Sequence, residues 1–290
     1  MNLEERRRES GLMNGLVSVI IPNFNYGAFV EKAVVSVLGQ DYEKIEIIVV
    51  DDGSTDNSVE VLRKFGDRIK LIESSNMGAP TARNIGILAS RGSYIAFLDS
   101  DDYWYESKIT KQIDVMLRTN TELNFCHMEF TDNQQPSKHR QEIEESYDYR
   151  EFYINNPGVT PFIPSCTIVT RGLLAKTGLW DTGLQSPAED FDLFRRCARH
   201  TLFSKTQETL VVHREHENSL TASNSIEKYF LDNKLAMLKV YVDDLSRYNV
   251  FERRISYIKL HIMFAKAYFL RKSILKGTLT LLRSLFPVMF

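Results

Sequence analysis

An α/β fold, with a mostly parallel sheet flanked by helices, follows from three features of the 290-residue sequence. Compact apolar strands alternate with amphipathic helices along the first hundred residues, as βαβ units do. The strands are short apolar runs, Tyr94 to Leu98 without any charge, as expected where both faces of a parallel sheet are covered. Three of them run directly into polar clusters: Pro22 to Tyr26, Asp51 to Ser54, and Asp99 to Asp102. Parallel strands of one sheet end on one rim, where ligands of such folds bind.

The elements follow in order. "VSVII" (Val17 to Ile21) reads as a strand stopped by Pro22, and apolar positions recur at helical spacing from Ala28 to Leu38. "IEIIVV" (Ile45 to Val50) is a second strand, ended by "DDGSTD". The helix after it runs to Phe65, with Ser54 or Thr55 as its N-cap. "IKLI" (Ile69 to Ile72) is a third strand, "TARNIGILAS" a helix closed by Gly92, and Tyr94 to Leu98 a fourth strand. From Leu123 the pattern loosens: a strand in "NFCHMEF", a polar loop through Glu145, a strand in "SCTIVT", and a helix entered from "SPAEDF". "ETLVVH" is the last strand, and beyond Ile226 the chain reads as helical. The divisions expected are a polar tail over 1–14, two halves of one domain over 15–122 and 123–225, and a helical extension over 226–290.

Composition is that of an ordinary globular protein, 43% hydrophobic and 26% charged, and the net charge of −2 gives no reason to expect nucleic acid. Cys126, Cys166 and Cys197 are widely spaced and lack a CxxC pair, which suggests reduced thiols in the cytoplasm and no cysteine zinc site. The charged start "MNLEERRRESG" resembles no secretory signal, and no apolar run reaches the roughly 20 residues of a spanning helix. Charge is nevertheless uneven. From Arg253 on, eight of the 36 Lys and Arg residues occur with none of the 38 Asp and Glu, so this segment carries +8 and the rest −10. A packed helical subdomain with solvated cations is one reading; peripheral contact with an anionic membrane, at its inner face, is the other.

Asp99, Asp101 and Asp102 repel one another, so the fold must supply positive partners or a cation. No GxGxxG or GxxxxGK occurs, which weakens dinucleotide and P-loop readings. A divalent cation fixed by carboxylates is another way to hold a diphosphate, and Mg²⁺ and Mn²⁺ bridge one or two carboxylates to substrate phosphates.

"VSVIIPNFNY", "IIVVDDGSTDNS", "NMGAPTARNIGI", "YIAFLDSDD" and "AEDFDLFRR", in this order, resemble the inverting family 2 of nucleotide-sugar glycosyltransferases, of the GT-A fold, over about Leu16 to Thr221. The resemblance implies Mn²⁺ or Mg²⁺ as cofactor, a nucleotide-diphosphate sugar as donor and a glycan or lipid-linked acceptor. Pro22 and Phe24 would line the base, and Asp52 would accept its imino hydrogen. Arg83 would face base or diphosphate, Asp99 the ribose, and Asp101 the metal. Asp190 would be the general base toward the acceptor hydroxyl, with Glu189 beside it contacting substrate. "HREHENSLT" resembles a family segment RxHxxS, which puts His216 rather than His213 near the metal.

Each role has a plainer rival. Asp52 and Asp190 could cap helices, Arg83 could form an ion pair, and His216 could be solvated. Trp104 and Trp180 are expected to pack rather than stack on sugars. Processive relatives carry QxxRW and spanning helices; the sequence has no Arg-Trp pair, so a single transfer is expected. A nucleotidyltransferase, or a silent nucleotide-sugar-binding module of the same fold, are the alternatives.

Overall fold

The computed structural model describes residues 15–130, 146–156, 159–184, 188–216, 230–236, 238, 250–270 and 273–285. The expected polar tail and most of the loop before Ser146 lie outside them. Two compact units are interleaved along the chain. The first is drawn from Met1–Tyr147, Phe162–Thr182 and His200–His216, the second from Asp148–Pro161, Gly183–Arg199 and Glu217–Phe290.

The first unit holds a nine-stranded sheet. Strands β1 (Val17–Asn23), β2 (Ile45–Asp51), β3 (Lys70–Glu73) and β4 (Tyr94–Phe97) alternate with helices α1 (Gly27–Leu38), α2 (Ser58–Arg63) and α3 (Ala79–Ala89). Then come β5 (Tyr103–Trp104), α4 (Lys108–Thr119), β6 (Leu123–Phe130), β7 (Ser146–Tyr147), β8 (Thr167–Thr170), α6 (Arg171–Thr177) and β9 (Phe203–His213). The order is β3-β2-β1-β4-β8-β6-β9-β5, with β7 also on β9. Pairing is parallel from β3 through β4 and between β6 and β9, and antiparallel elsewhere.

All seven residues of β1 are buried, as a central strand covered on both faces requires. Pro22 does not stop the strand, because pairing with β4 has already ended at Ile20 and no N–H is needed on that side. On the other side the ladder with β2 continues to Asn23 and Asp51. Gly86 lets α3 close on this strand: a Cβ there would lie 2.4 Å from Cγ2 of Ile20. The expected N-cap of α2 is replaced. Asp56 accepts the N–H of Ser58 at 2.9 Å and, with its other oxygen, that of Gly27 at 2.9 Å, tying α2 to α1. Ser54 instead donates to Asp51.

The second unit is helical among the described residues: α5 (Tyr149–Asn155), α7 (Ala188–Cys197), α8 (Val250–Leu270) and α9 (Ile274–Leu285). Asp148 caps α5 by accepting the N–H of Arg150. Tyr153 and Phe191 meet edge-on, their centroids 5.7 Å apart, joining α5 to α7. On α8, Tyr257, Leu260, Phe264, Ala265 and Tyr268 are buried at helical spacing, with Phe230 against Phe264. No described helix is long and apolar enough to cross a membrane.

Candidate active site

The C-terminal ends of β1, β2 and β4 bring the three polar clusters together, and the end of β9 adds a fourth. The first two loops are stitched by hydrogen bonds. Asn23 donates to Asp51 at 2.7 Å, the N–H of Asp52 to the carbonyl of Asn23 at 2.7 Å, and that of Asn25 to Ser54 Oγ at 2.9 Å. Pro22 is buried, whereas Phe24 stands exposed at the rim.

Asp52 faces inward and is 3% exposed. Its Oδ1 accepts from Ser74 Oγ and the N–H of Met77, both at 2.9 Å, and its Oδ2 accepts the N–H of Gly78 at 2.6 Å. It therefore anchors the turn that launches α3. A carboxylate has about four acceptor directions, so three are engaged within the chain.

On α3, Arg83 donates to Asp99 at 2.8 Å, and its guanidinium lies 4.6 Å from the ring centroid of Trp180. Trp180 is held by paired hydrogen bonds with Asn84, and Trp104 donates its indole N–H to the carbonyl of Ser165. Both tryptophans are buried packing residues, as expected.

The acidic cluster is resolved by division of labour. Asp99 takes Arg83. Asp102, fully buried, accepts from Ser165 Oγ at 2.6 Å and lies 2.8 Å from Nδ1 of His213. Burial alone would lower the pKa of His213; the hydrogen bond and charge of Asp102, aided by Asp101 and Asp99, raise it instead. Asp101 is buried too, its Oδ2 3.1 Å from Nε2 of His216. Burial, then the charges of Asp99 and Asp102, push its carboxyl up to about 6 against the hydrogen bond from His216. His216 is fixed by a stacked contact with Phe29, centroids 4.6 Å apart, and an edge contact with Tyr26 at 5.3 Å.

Arg214 locks the turn. Its guanidinium donates to the carbonyls of Ser100 (3.3 Å), Asp101 and Asp102 (3.5 Å), and to that of Phe29 on α1 at 3.0 Å. Sequence reasoning missed Arg214, His213, Ser165 and Phe29 as members of the site. The Arg of the RxHxxS segment was the signal available for Arg214.

Glu189 and Asp190 lie in the second unit, buried in the first turn of α7. Asp190 lies within the first turn of α7, which begins before the expected start near Phe191. Carboxylates in a first turn are favoured by the helix dipole. The fully buried Tyr153 hydroxyl has its pKa raised well above the usual value by burial, then by Cys197, Tyr149 and Asp190.

Known proteins resemble this chain in sequence and in fold. The Glycosyl transferase family 2 model matches residues 18–178. An uncharacterized glycosyltransferase of Rickettsia prowazekii (strain Madrid E) is 31% identical over 227 residues, 76% of this chain and 71% of that protein. TuaG of Bacillus subtilis (strain 168), a candidate teichuronic acid biosynthesis glycosyltransferase, is 40% identical over 114 residues, 38% of this chain and 45% of that one. Among solved structures, S. aureus TarS 1–349 in complex with UDP-GlcNAc superposes with a TM-score of 0.73 at 18% identity, covering 93% of this chain and 79% of TarS 1–349. The mannosyltransferase PcManGT from Pyrobaculum calidifontis, in complex with GDP-Man and Mn²⁺, gives 0.63 at 16%, covering 95% and 76%. A family model spanning more than half of the chain, and a relative matched over three quarters of it, establish that this protein belongs to glycosyltransferase family 2 and has the GT-A fold.

Proposed function

We propose that the protein transfers a single sugar, with inversion, from a nucleoside-diphosphate sugar to an acceptor hydroxyl in the synthesis of a cell-surface polysaccharide or lipid-linked glycan. The observation that carries this reading is the juxtaposition of Asp101 and His216 on the rim of the parallel strands. TuaG, named for teichuronic acid biosynthesis, and the UDP-GlcNAc and GDP-Man complexes of TarS and PcManGT support it.

Asp101 and His216 suit a shared divalent cation, Mn²⁺ or Mg²⁺. No group of three or more His, Cys, Asp and Glu side chains placed to hold a metal occurs among the described residues. A cation bridging substrate phosphates needs only one or two carboxylates from the protein. Nδ1 of His216 is buried without a hydrogen-bond partner among the described residues, so the ring can turn its proton to Nδ1 and offer Nε2 as a donor of electrons. The metal would supply charge stabilisation on the departing nucleoside diphosphate.

The remaining roles belong to the chain itself. Phe24 and Pro22 flank the nucleobase, Asp52 offers its remaining acceptor direction to the base imino group, and Asp99, oriented by Arg83, faces the ribose. Asp190 takes the proton of the acceptor hydroxyl as that oxygen attacks C1 of the sugar from the face opposite the leaving group. The C1–phosphate oxygen bond breaks as the new C–O bond forms, and one displacement inverts C1. Glu189 contacts the acceptor or sugar beside it.

Donor hydrolysis tests this reading without a known acceptor. UDP- and GDP-sugars of α configuration are incubated with Mn²⁺, and the first sugar anomer released is read by ¹H NMR. Release of the β anomer, slowed in Asp190→Asn, supports the reading. Release of the α anomer, or equal hydrolysis by wild type and Asp190→Asn, overturns it.

A further inference from the structure

We infer that the outward sides of α8 and α9 form a peripheral docking surface for an anionic lipid bilayer. The two helices pack closely on one another. A Cβ at Gly277 would fall 2.6 Å from the Phe269 ring, so the glycine lets the ring lie this close to α9. The inward residues of α8 account for most of its aromatic side chains. What faces solvent is a different set. Leu270 is 85% exposed, and Phe269, Leu279 and Leu282 are 40 to 48% exposed. Leu279 and Leu282 are three residues apart and so share one side of α9.

Cations border these leucines. Lys259, Lys266 and Leu270 follow one another along the exposed side of α8, and Arg283 follows Leu282 on α9. No Asp or Glu occurs after Glu252, while the preceding part of the chain carries a net −10. An anionic surface therefore attracts this segment and repels the rest, which selects a single orientation. Apolar side chains interleaved with Lys and Arg fit the boundary between acyl chains and phosphate headgroups. At about 1.5 Å per residue the 12 residues of α9 reach roughly 18 Å, short of the ~30 Å core, so the helix lies in the interface rather than across it.

The test is co-sedimentation of the full chain with vesicles of phosphatidylcholine alone and with about 30–40% phosphatidylglycerol, which makes the surface anionic. Four proteins are compared: wild type, Leu279→Gln/Leu282→Gln, Lys266→Gln/Arg283→Gln, and Leu88→Gln, a still more exposed leucine on α3, as control. Binding to anionic vesicles only, weakened by salt and by roughly five-fold or more in each double variant but not in the control, is the expected result. Absence of wild-type binding, equal binding to both vesicle types, or unchanged binding by both double variants overturns the proposal. So does concentration-dependent dimerisation, in sedimentation velocity, that the leucine variant abolishes, since the surface would then belong to a second copy.

Discussion

Oδ2 of Asp52 accepts the backbone N–H of Gly78 at 2.6 Å, across 26 residues of sequence. With Met77 and Ser74 on the other oxygen, this carboxylate organises the start of α3 before any nucleotide arrives. A residue expected to read a base is thus also part of the frame that presents Arg83.

Asp52→Asn should therefore destabilise the protein by about 1–3 kcal/mol, because an amide turns an N–H₂ toward buried N–H donors. Denaturant unfolding measures it. A loss of nucleotide affinity with unchanged stability would instead make Asp52 a pure ligand contact.

Lys108, the first residue of α4, is fully buried, its Nζ 4.0 Å from the centroid of the Trp104 ring and without a hydrogen-bond partner among the described residues. Burial pushes its pKa from 10.5 down to about 8, opposed by the thiols of Cys126 and Cys166 that face it. Below pH 8 both folded and unfolded chains carry the proton, and the folded chain bears the full cost of the buried charge. Between about pH 8 and 10.5 the unfolded chain binds more protons, so stability rises with pH. Lys108→Met should be more stable than wild type at pH 7, on the order of 1–3 kcal/mol, with the gap closing toward pH 10.5. A less stable variant at pH 7, or a gap independent of pH, would contradict this origin.

Asp190→Asn should lower the transfer rate by on the order of 10²–10⁴ while nucleotide binding stays near that of wild type. Isothermal titration alongside a transfer assay separates the two effects. Collapse of donor binding would move Asp190 from the proton transfer to the donor pocket.

The first four strands were legible because each centres on an apolar run bounded by turn residues, uncharged in β1 and β4 and interrupted only by Glu46 in β2 and Lys70 in β3. β9 was read only from Glu208 onward, although it begins at Phe203. Its first half carries Ser204, Lys205 and Thr206, and two of these are buried against Thr121 and Asn124. Such satisfied polar residues erase the hydrophobic signal of a strand. The acidic cluster announced a site, and the motif order gave its chemistry, but not its internal division. His213 lies 111 residues from Asp102, and Arg214 binds backbone carbonyls, which every residue has. Neither pairing can be read from local sequence, although the RxHxxS segment marked Arg214 itself. Asp56 likewise outcompeted Ser54 and Thr55 as the helix anchor because the fold brings Gly27 to it.

The account rests on Asp101 and His216 as a metal-dependent nucleotide site, and a thermal-shift panel of UDP, GDP, dTDP and CMP with and without Mn²⁺ tests it most directly. A nucleotide present at 100 times its Kd stabilises the folded state by about 2.7 kcal/mol, a readily measured rise in Tm. Wild type should show that rise with at least one diphosphate only when Mn²⁺ is present. Ser100→Ala should keep it, since the buried Ser100 hydroxyl has no hydrogen-bond partner among the described residues. Asp101→Asn should lose it while melting as a folded protein in the absence of ligand. An equal shift without metal, or an undiminished one in Asp101→Asn, would contradict the account.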